Sequence, residues 1–285
     1  MPQPPVFPDF PGLDPLTASG VAVLSAQALY HAGRWLLGDR AQKERAMEGF
    51  EQVALSGVLF GLAVALSALA LWGLSTAVQM LGVNASMPDV AAIKASSWAD
   101  FAGSVQRALG GASAIYRQYA DAASGILAGY AGAVAGFGML PWTSAISMAI
   151  MNGLAYVVTA ATTVLISAAV YMIAAVLAAA WPALLPVGAV LVAYERTRFL
   201  GAWLLAVSVV APVVLAAGAD VLRSLVDPAA LLALAVALGP TAALINAMPL
   251  IEAMVLLGLI GLTLGVLTYA ASRLFDHAGA SLSLE

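Results

Sequence analysis

The sequence predicts an all-α polytopic transmembrane bundle of about five or six spans, accompanied by amphipathic and half-span helices. Three observations carry this reading. Of the 285 residues 62% are hydrophobic and 9% charged, with a mean hydropathy of +0.97, too little polar surface to clothe a water-soluble globule of this size. Several apolar runs reach or pass the roughly 20 residues that cross about 30 Å of hydrocarbon. These runs are continuous Ala, Leu and Val and do not alternate in polarity, which argues against a transmembrane β-barrel. The expected location is the plasma or inner membrane, as a multi-pass protein.

Residues 1–16 form the first region, a proline-rich arm. Proline fixes φ and removes a backbone donor, so this stretch is expected to be extended. It has no basic residues ahead of an apolar core and does not read as a cleaved signal peptide.

Residues 17–51 form the second region. The stretch 17–37 is a moderately apolar helix, with Asp14 or Thr17 able to cap it. It closes near His31, Arg34 and Trp35, a mixture that suits a helix lying in the interface or docked on its neighbours. The charged stretch 39–51 carries Arg40, Lys43 and Arg45, and the positive-inside tendency places it in the cytoplasm.

The third region, residues 52–141, opens with a first span over 53–81, long enough to require tilt or protrusion. Residues 82–97 read as an external polar loop containing Asn84-Ala85-Ser86, a triplet that is formally a glycosylation sequon and common by chance. From 98 to 122, apolar or small residues recur at Trp98, Phe101, Val105, Ala108, Ala112, Ile115, Tyr119 and Ala122, with Asp100, Arg107, Arg117 and Asp121 elsewhere around the helix. This three-four spacing is that of an amphipathic helix. Its first part is expected in water. It then enters the membrane along Gly125, Gly129, Gly132 and Gly136, up to a break at Pro141.

Residues 142–285 are the membrane core. The stretch 143–180 is too long for one upright span, and Pro182 and Pro186 are expected to break the helix, leaving 184–194 as a half-span or kinked extension. Next comes the charged step Glu195-Arg196-Thr197-Arg198. Charge this dense is expensive at bilayer depth, so the step fixes a loop at a membrane face. A span over 199–219 follows, containing Pro212 and leaving at Asp220, Arg223 and Asp227. Residues 229–247, interrupted by Gly239-Pro240 and Asn246, read as re-entrant or interfacial, and the last span is 249–271. Arg196 and Arg198 fall inside only if an odd number of crossings separates them from the external loop. Breaks at Pro141 and Pro182 would make three.

The chemistry-bearing residues are few. There is no cysteine, hence no thiolate nucleophile or Cys-ligated metal. HExxH, the phosphate-binding GxxxxGK[ST], GxGxxG with a following acid, and GxSxG are all missing. His31 and His277 lie near opposite ends of the chain, and the aspartates fall in loops or span ends, so neither an intramembrane serine nor an aspartyl protease is expected. The chain is read as non-enzymatic, without cofactor or metal. The net charge of −4, with its basic residues scattered, gives no dedicated nucleic-acid groove.

Glu252 is the candidate intramembrane charge, a proton or cation site or a partner for Arg223. One turn past Pro249 it can equally reach the interface. Four GxxxG pairs stand on apolar segments: Gly57/Gly61, Gly125/Gly129, Gly132/Gly136 and Gly261/Gly265. Each lets helix backbones approach closely, either within one chain or between chains. Together they favour a homo-oligomer. Trp142, Trp181 and Trp203 suit interfacial anchoring.

A long apolar helix, a proline, a short apolar stretch, a Thr-Arg step and a tryptophan opening the next span resemble the TrbL-like polytopic inner-membrane subunit of type IV secretion and conjugation machines. A related subunit of the archaeal DNA-import system is similar in size and layout. The matching positions are Pro182 or Pro186, Thr197, Arg198 and Trp203, with Arg196 a looser match, and the likeness covers roughly residues 143–271. Many relatives have Phe-Pro where this chain has Tyr194-Glu195, and a second arginine where it has Phe199. Many also continue into a long hydrophilic region whose contacts are not carried over.

The resemblance implies an oligomeric membrane platform or channel working with a secretion-type ATPase and pilin-like or small membrane subunits, with DNA as a cargo. In this reading the Glu195, Arg196, Thr197 and Arg198 loop meets the ATPase. The alternative is a small-solute transporter or permease subunit, and a third reading is a lipid-binding structural protein with no pore.

Overall fold

The computed structural model describes residues 15–80, 98–139, 148, 152, 155–236 and 247–282. Among them run eight α-helices: α1 (Pro15–Leu37), α2 (Arg40–Met80), α3 (Trp98–Gly138), α4 (Ala155–Ala178), α5 (Trp181–Ala193), α6 (Arg198–Leu225), α7 (Pro228–Val236) and α8 (Met248–Leu282), with a 3₁₀ turn over Glu195–Thr197 between α5 and α6. The first 14 residues of the arm, the loop and sequon of 82–97, Pro141, Trp142, Gly239-Pro240 and Asn246 lie outside the described residues.

Local chemistry sets the visible ends. Gly38 closes α1 with its N–H on Arg34 O at 2.9 Å. Asp39 then caps α2, its Oδ1 accepting from Gln42 N at 2.8 Å. Asp227 does the same for α7 through Ala229 N at 2.9 Å. α1 begins at Pro15, inside the stretch read as extended arm, because proline is well suited to a helix's first turn.

Four segments are long and apolar enough to cross a membrane: Arg40–Gly73, Ala155–Ala178, Glu195–Leu225 and Met248–Ser281. These make the chain a multi-pass membrane protein, with fewer such spans among the described residues than the five or six expected. α6 is the hub and packs against α2, α3, α4, α5 and α8. Its buried positions run through Gly201, Ala202, Ala206, Ala211, Ala216, Gly218 and Ala219, small residues that let five neighbours come close.

Pairs of contacts give the helix directions. α1 and α2 are antiparallel, Gly20 facing Phe60 and Gly49 facing His31. α5 and α6 form a tight antiparallel hairpin, with Gly188 against Leu205 and Gly201 against Val192. α8 is antiparallel to α6, with Gly218 beside Ile260 at one end and Gly279 beside Val192 and Arg198 at the other. α3 runs alongside α6 in the same sense: Tyr116 Oη donates to Leu215 O at 2.9 Å, and Tyr119 Oη to Leu222 O at 3.2 Å and to Val226 O.

Two sequence expectations change here. The first part of the 98–122 helix is expected in water, yet Val105 shares a cavity wall with Ser208 and Val209 of α6, and Tyr116 lies opposite Leu215. Tertiary register overrides the charge count. The second change concerns the prolines. The helix interruption falls at Ala179 and Ala180, Pro182 sits in the first turn of α5, and α5 runs unbroken through Pro186.

Proline at 186 removes the hydrogen bond that Pro182 O would accept within the helix. That carbonyl is taken instead by Ser19 Oγ at 2.6 Å, so a neighbouring helix supplies what the ring took away. Gln106 Nε2 donates to Ala179 O while Tyr116 stacks edge-on against Tyr171 at 5.6 Å, making α3 and α4 antiparallel. Trp181 at the start of α5 is level with Ser208 and Val192 near its end is level with Gly201. α4 and α5 therefore descend in one direction as a single bent path, the kinked extension that the sequence suggested.

Candidate functional site

The charged turn is built from its backbone outward. Tyr194 leaves α5 in an extended conformation (φ −100°, ψ 124°), which reverses the chain. Thr197 then ties the turn back: its N–H donates to Tyr194 O at 3.1 Å and its Oγ1 to Leu191 O at 2.8 Å. Leu191 O is one of the last four carbonyls of α5, which lack partners inside their own helix. Glu195 and Arg196 project into solvent, while Thr197 and Arg198 are half-buried. The Arg198 stem lies against α8, where a Cβ added at Gly279 would come within 3.7 Å of its Cδ. Trp203, Phe199 and Leu200 face outward from the bundle, an arrangement suited to anchoring against lipid just beyond the arginines.

Behind the turn sits a polar cluster that the sequence reading missed. Tyr194 Oη accepts from Gln27 Nε2 at 3.1 Å and lies 3.2 Å from His31 Nε2. His31 is buried, with the rings of Tyr30 and Phe50 around it. Any side chain at Gly49 would collide with the imidazole, so glycine there is required by close approach. Burial, and then the nearby Arg34 charge, hold the His31 pKa below 6.5. Its Nδ1 and Gln27 Oε1 are buried without a partner. No motif flags this cluster, because His31 and Tyr194 are 163 positions apart.

The His31–Tyr194 contact also fixes the turn's position relative to the rest of the chain. Because His31 touches Gly49 and Phe50 on one side and Tyr194 on the other, the start of α2 and the turn lie at the same end of the bundle. Arg34, Arg40, Lys43, Arg45, Arg196 and Arg198 therefore gather there, interspersed with Asp39, Glu44, Glu48, Glu51 and Glu195. Lys43 lies over the Trp35 ring at 6.0 Å and Arg34 over Tyr30 at 5.7 Å. The Arg40–Glu44 pair at 3.6 Å is fully solvated and contributes little.

The glycine pairs separate by environment. Gly261 is met by the Tyr171 hydroxyl of α4, which donates to Leu257 O at 2.8 Å. Gly57 has only Leu24 at 4.0 Å, and Gly61, Gly132, Gly136 and Gly265 face open space. Gly125 and Gly129 are half-buried. Further tight crossings fall at Gly188, Gly201 and Gly218, none of which lies in a GxxxG pair.

Glu252 is exposed near the start of α8. Among the described residues Glu252 and Arg223 form no ion pair with each other, unlike Arg40–Glu44 and Arg117–Asp121. Asp220, expected at a span exit, is buried within α6. A small cavity beside Pro212 is walled mainly by apolar groups, with Ser67 and Ser208 its polar exceptions. Among the described residues no group of three acids or histidines is placed to hold a metal ion. Comparisons with family models, curated proteins and solved structures return no match for this chain.

Proposed function

We propose that the chain is a non-enzymatic platform or channel subunit of a conjugation-like DNA-transfer machine, assembled from several copies in the membrane. The observation that carries the reading is the shared end of the bundle: the Glu195–Arg198 turn, braced by Thr197 and Tyr194, stands beside the Arg40–Arg45 helix start. By the positive-inside tendency this end faces the cytoplasm. It offers a fixed surface of mixed charge on which a secretion-type ATPase docks, with Glu195 and Arg196 outermost. The open glycines at 61, 132, 136 and 265 supply faces where other copies or pilin-like subunits pack closely. DNA as cargo comes from the TrbL-like resemblance alone.

Charge reversal at Arg196→Glu and Arg198→Glu tests the reading. Loss of ATPase co-purification from native membranes, together with loss of DNA transfer, is the expected result. Unchanged association and transfer would dismiss the assigned role of the turn. Solute flux through liposomes containing this chain alone would favour the small-solute transporter instead.

A further inference from the structure

α3 turns one polar face away from the bundle. Gln106, Arg107, Arg117, Gln118 and Asp121 are exposed along it, with Arg117 and Asp121 paired at 3.7 Å. Their depth follows from their neighbours. Val105 is level with Ser208 and Val209, Gln106 reaches Ala179 O, and Tyr116 reaches Leu215 O. α6 carries no charge between Arg198 and Asp220, so Arg107 stands beside the middle of an uncharged span, about 15 Å along the helix from either limit at 1.5 Å per residue.

Arg107 lies seven residues from Asp100, the nearest charge on its own helix, so its side chain would have to stretch along the bundle to bring its head to a membrane face. Facing lipid it would be costly, and ionisable groups inside membranes turn instead toward protein or water. Among the described residues no other part of the chain covers this face. Between the charges lie Gly110, Gly111 and Ala114, and no atom of the bundle stands within 4 Å of a Cβ built at either glycine. Past the charges the same face continues through Ala128, Ala131, Gly132, Ala135 and Gly136, all exposed.

We propose that the Gln106–Asp121 face of α3 lines a water-filled path enclosed between copies of this chain. The small residues from Ala128 to Gly136 form the copy-to-copy contact that closes it. Copies related by rotation hold their charges at one depth, so a single lumen hydrates all of them, while the Ala and Gly surface beyond lets backbones meet. This rests on the oligomeric part of the proposed function and not on its cargo or its ATPase.

The chain contains no cysteine, so single cysteines report cleanly. The full chain in phospholipid vesicles, carrying Arg107→Cys or Ala114→Cys, is treated with a charged, membrane-impermeant methanethiosulfonate. Glu48→Cys serves as the water reference and Leu262→Cys as the lipid reference. Only the thiolate reacts and hydrocarbon suppresses it, so both α3 sites should label within about 10-fold of Glu48→Cys and roughly 100-fold faster than Leu262→Cys. Oxidation of Gly132→Cys should yield disulfide-linked dimers.

Labelling at both α3 sites as slow as at Leu262→Cys overturns the proposal. So does rapid labelling of a chain that stays monomeric and does not cross-link at Gly132→Cys. Ala114→Cys changes little bulk and keeps the test valid if Arg107→Cys fails to fold. Loss of the ATPase interaction with labelling and cross-linking intact would defeat the DNA-transfer reading and leave the water path standing.

Discussion

α6 and α8 are equally greasy and differently placed. The most apolar stretches of the two have mean hydropathies of 2.4 and 2.3, yet 72% of that stretch is buried in α6 and 22% in α8. Hydropathy does not separate the centre of this bundle from its rim. Lipid tails solvate a leucine as well as another leucine does, so burial inside a membrane protein is driven by packing. Packing makes the distinction: α6 buries Gly201, Ala202, Ala206 and Gly218 together with Leu205, Val209 and Leu215, whereas α8 leaves Val255, Leu259, Leu262 and Val266 exposed.

The sharpest way to break that contrast is to enlarge a glycine on each side of it. A Cβ at Gly201 would overlap the backbone of Val192 and Leu191, which cannot move aside as a side-chain tip can. Gly201→Leu should therefore cost more than about 3 kcal/mol or prevent folding, read as loss of the monodisperse peak in size-exclusion chromatography. Gly265→Leu, which points into open space, should change stability by less than about 0.5 kcal/mol.

Next in size is Ser19→Ala. It strands the Pro182 carbonyl that Pro186 has already deprived of its helix partner. A loss of about 1–3 kcal/mol is expected for the orphaned group, and Ser19→Thr, which keeps the hydroxyl, should recover most of it. Tyr116→Phe removes the hydroxyl donated to Leu215 O and should cost roughly 1 kcal/mol, the range measured for hydrogen bonds between membrane helices. Thermal unfolding in one detergent ranks these variants.

The smallest effect is one of pH at the α1 junction. Because the folded state holds the His31 pKa below 6.5, the unfolded chain binds the proton first as pH falls. Stability is complete above that value and declines as the pH drops through it toward the folded pKa. Midpoints of thermal unfolding at pH 7.5 and 5.5 should differ in the wild type, and His31→Gln should narrow the difference.

The sequence revealed the class and much of the path. Continuous apolar runs marked the spans of α2, α6 and α8, and the Glu195–Arg198 step marked a loop because charge density is legible without coordinates. The bent α4–α5 path was readable from Pro182 and Pro186, although the interruption fell at Ala179 and Ala180. What escaped was register. The spacing of α3 showed an amphipathic helix, but only its contacts with α6, Val105 beside Ser208 and Tyr116 on Leu215 O, put Arg107 beside an uncharged stretch. The GxxxG pattern pointed to close approach, which Gly261 makes against Tyr171 while Gly188, Gly201 and Gly218 make it outside any such pair, since a crossing needs bulk removed only where two particular helices meet.

Labelling with a lipid-soluble photoactivated carbene, in a native-composition bilayer, tests the central claim that packing position and not hydropathy sorts these helices. Val255, Leu262 and Val266 of α8 and Phe199, Leu200 and Trp203 at the start of α6 should be modified, and residues 205–219 of α6 should remain unmodified. Modification along 205–219 comparable to that of α8 would contradict the account and return α6 to the rim of the bundle.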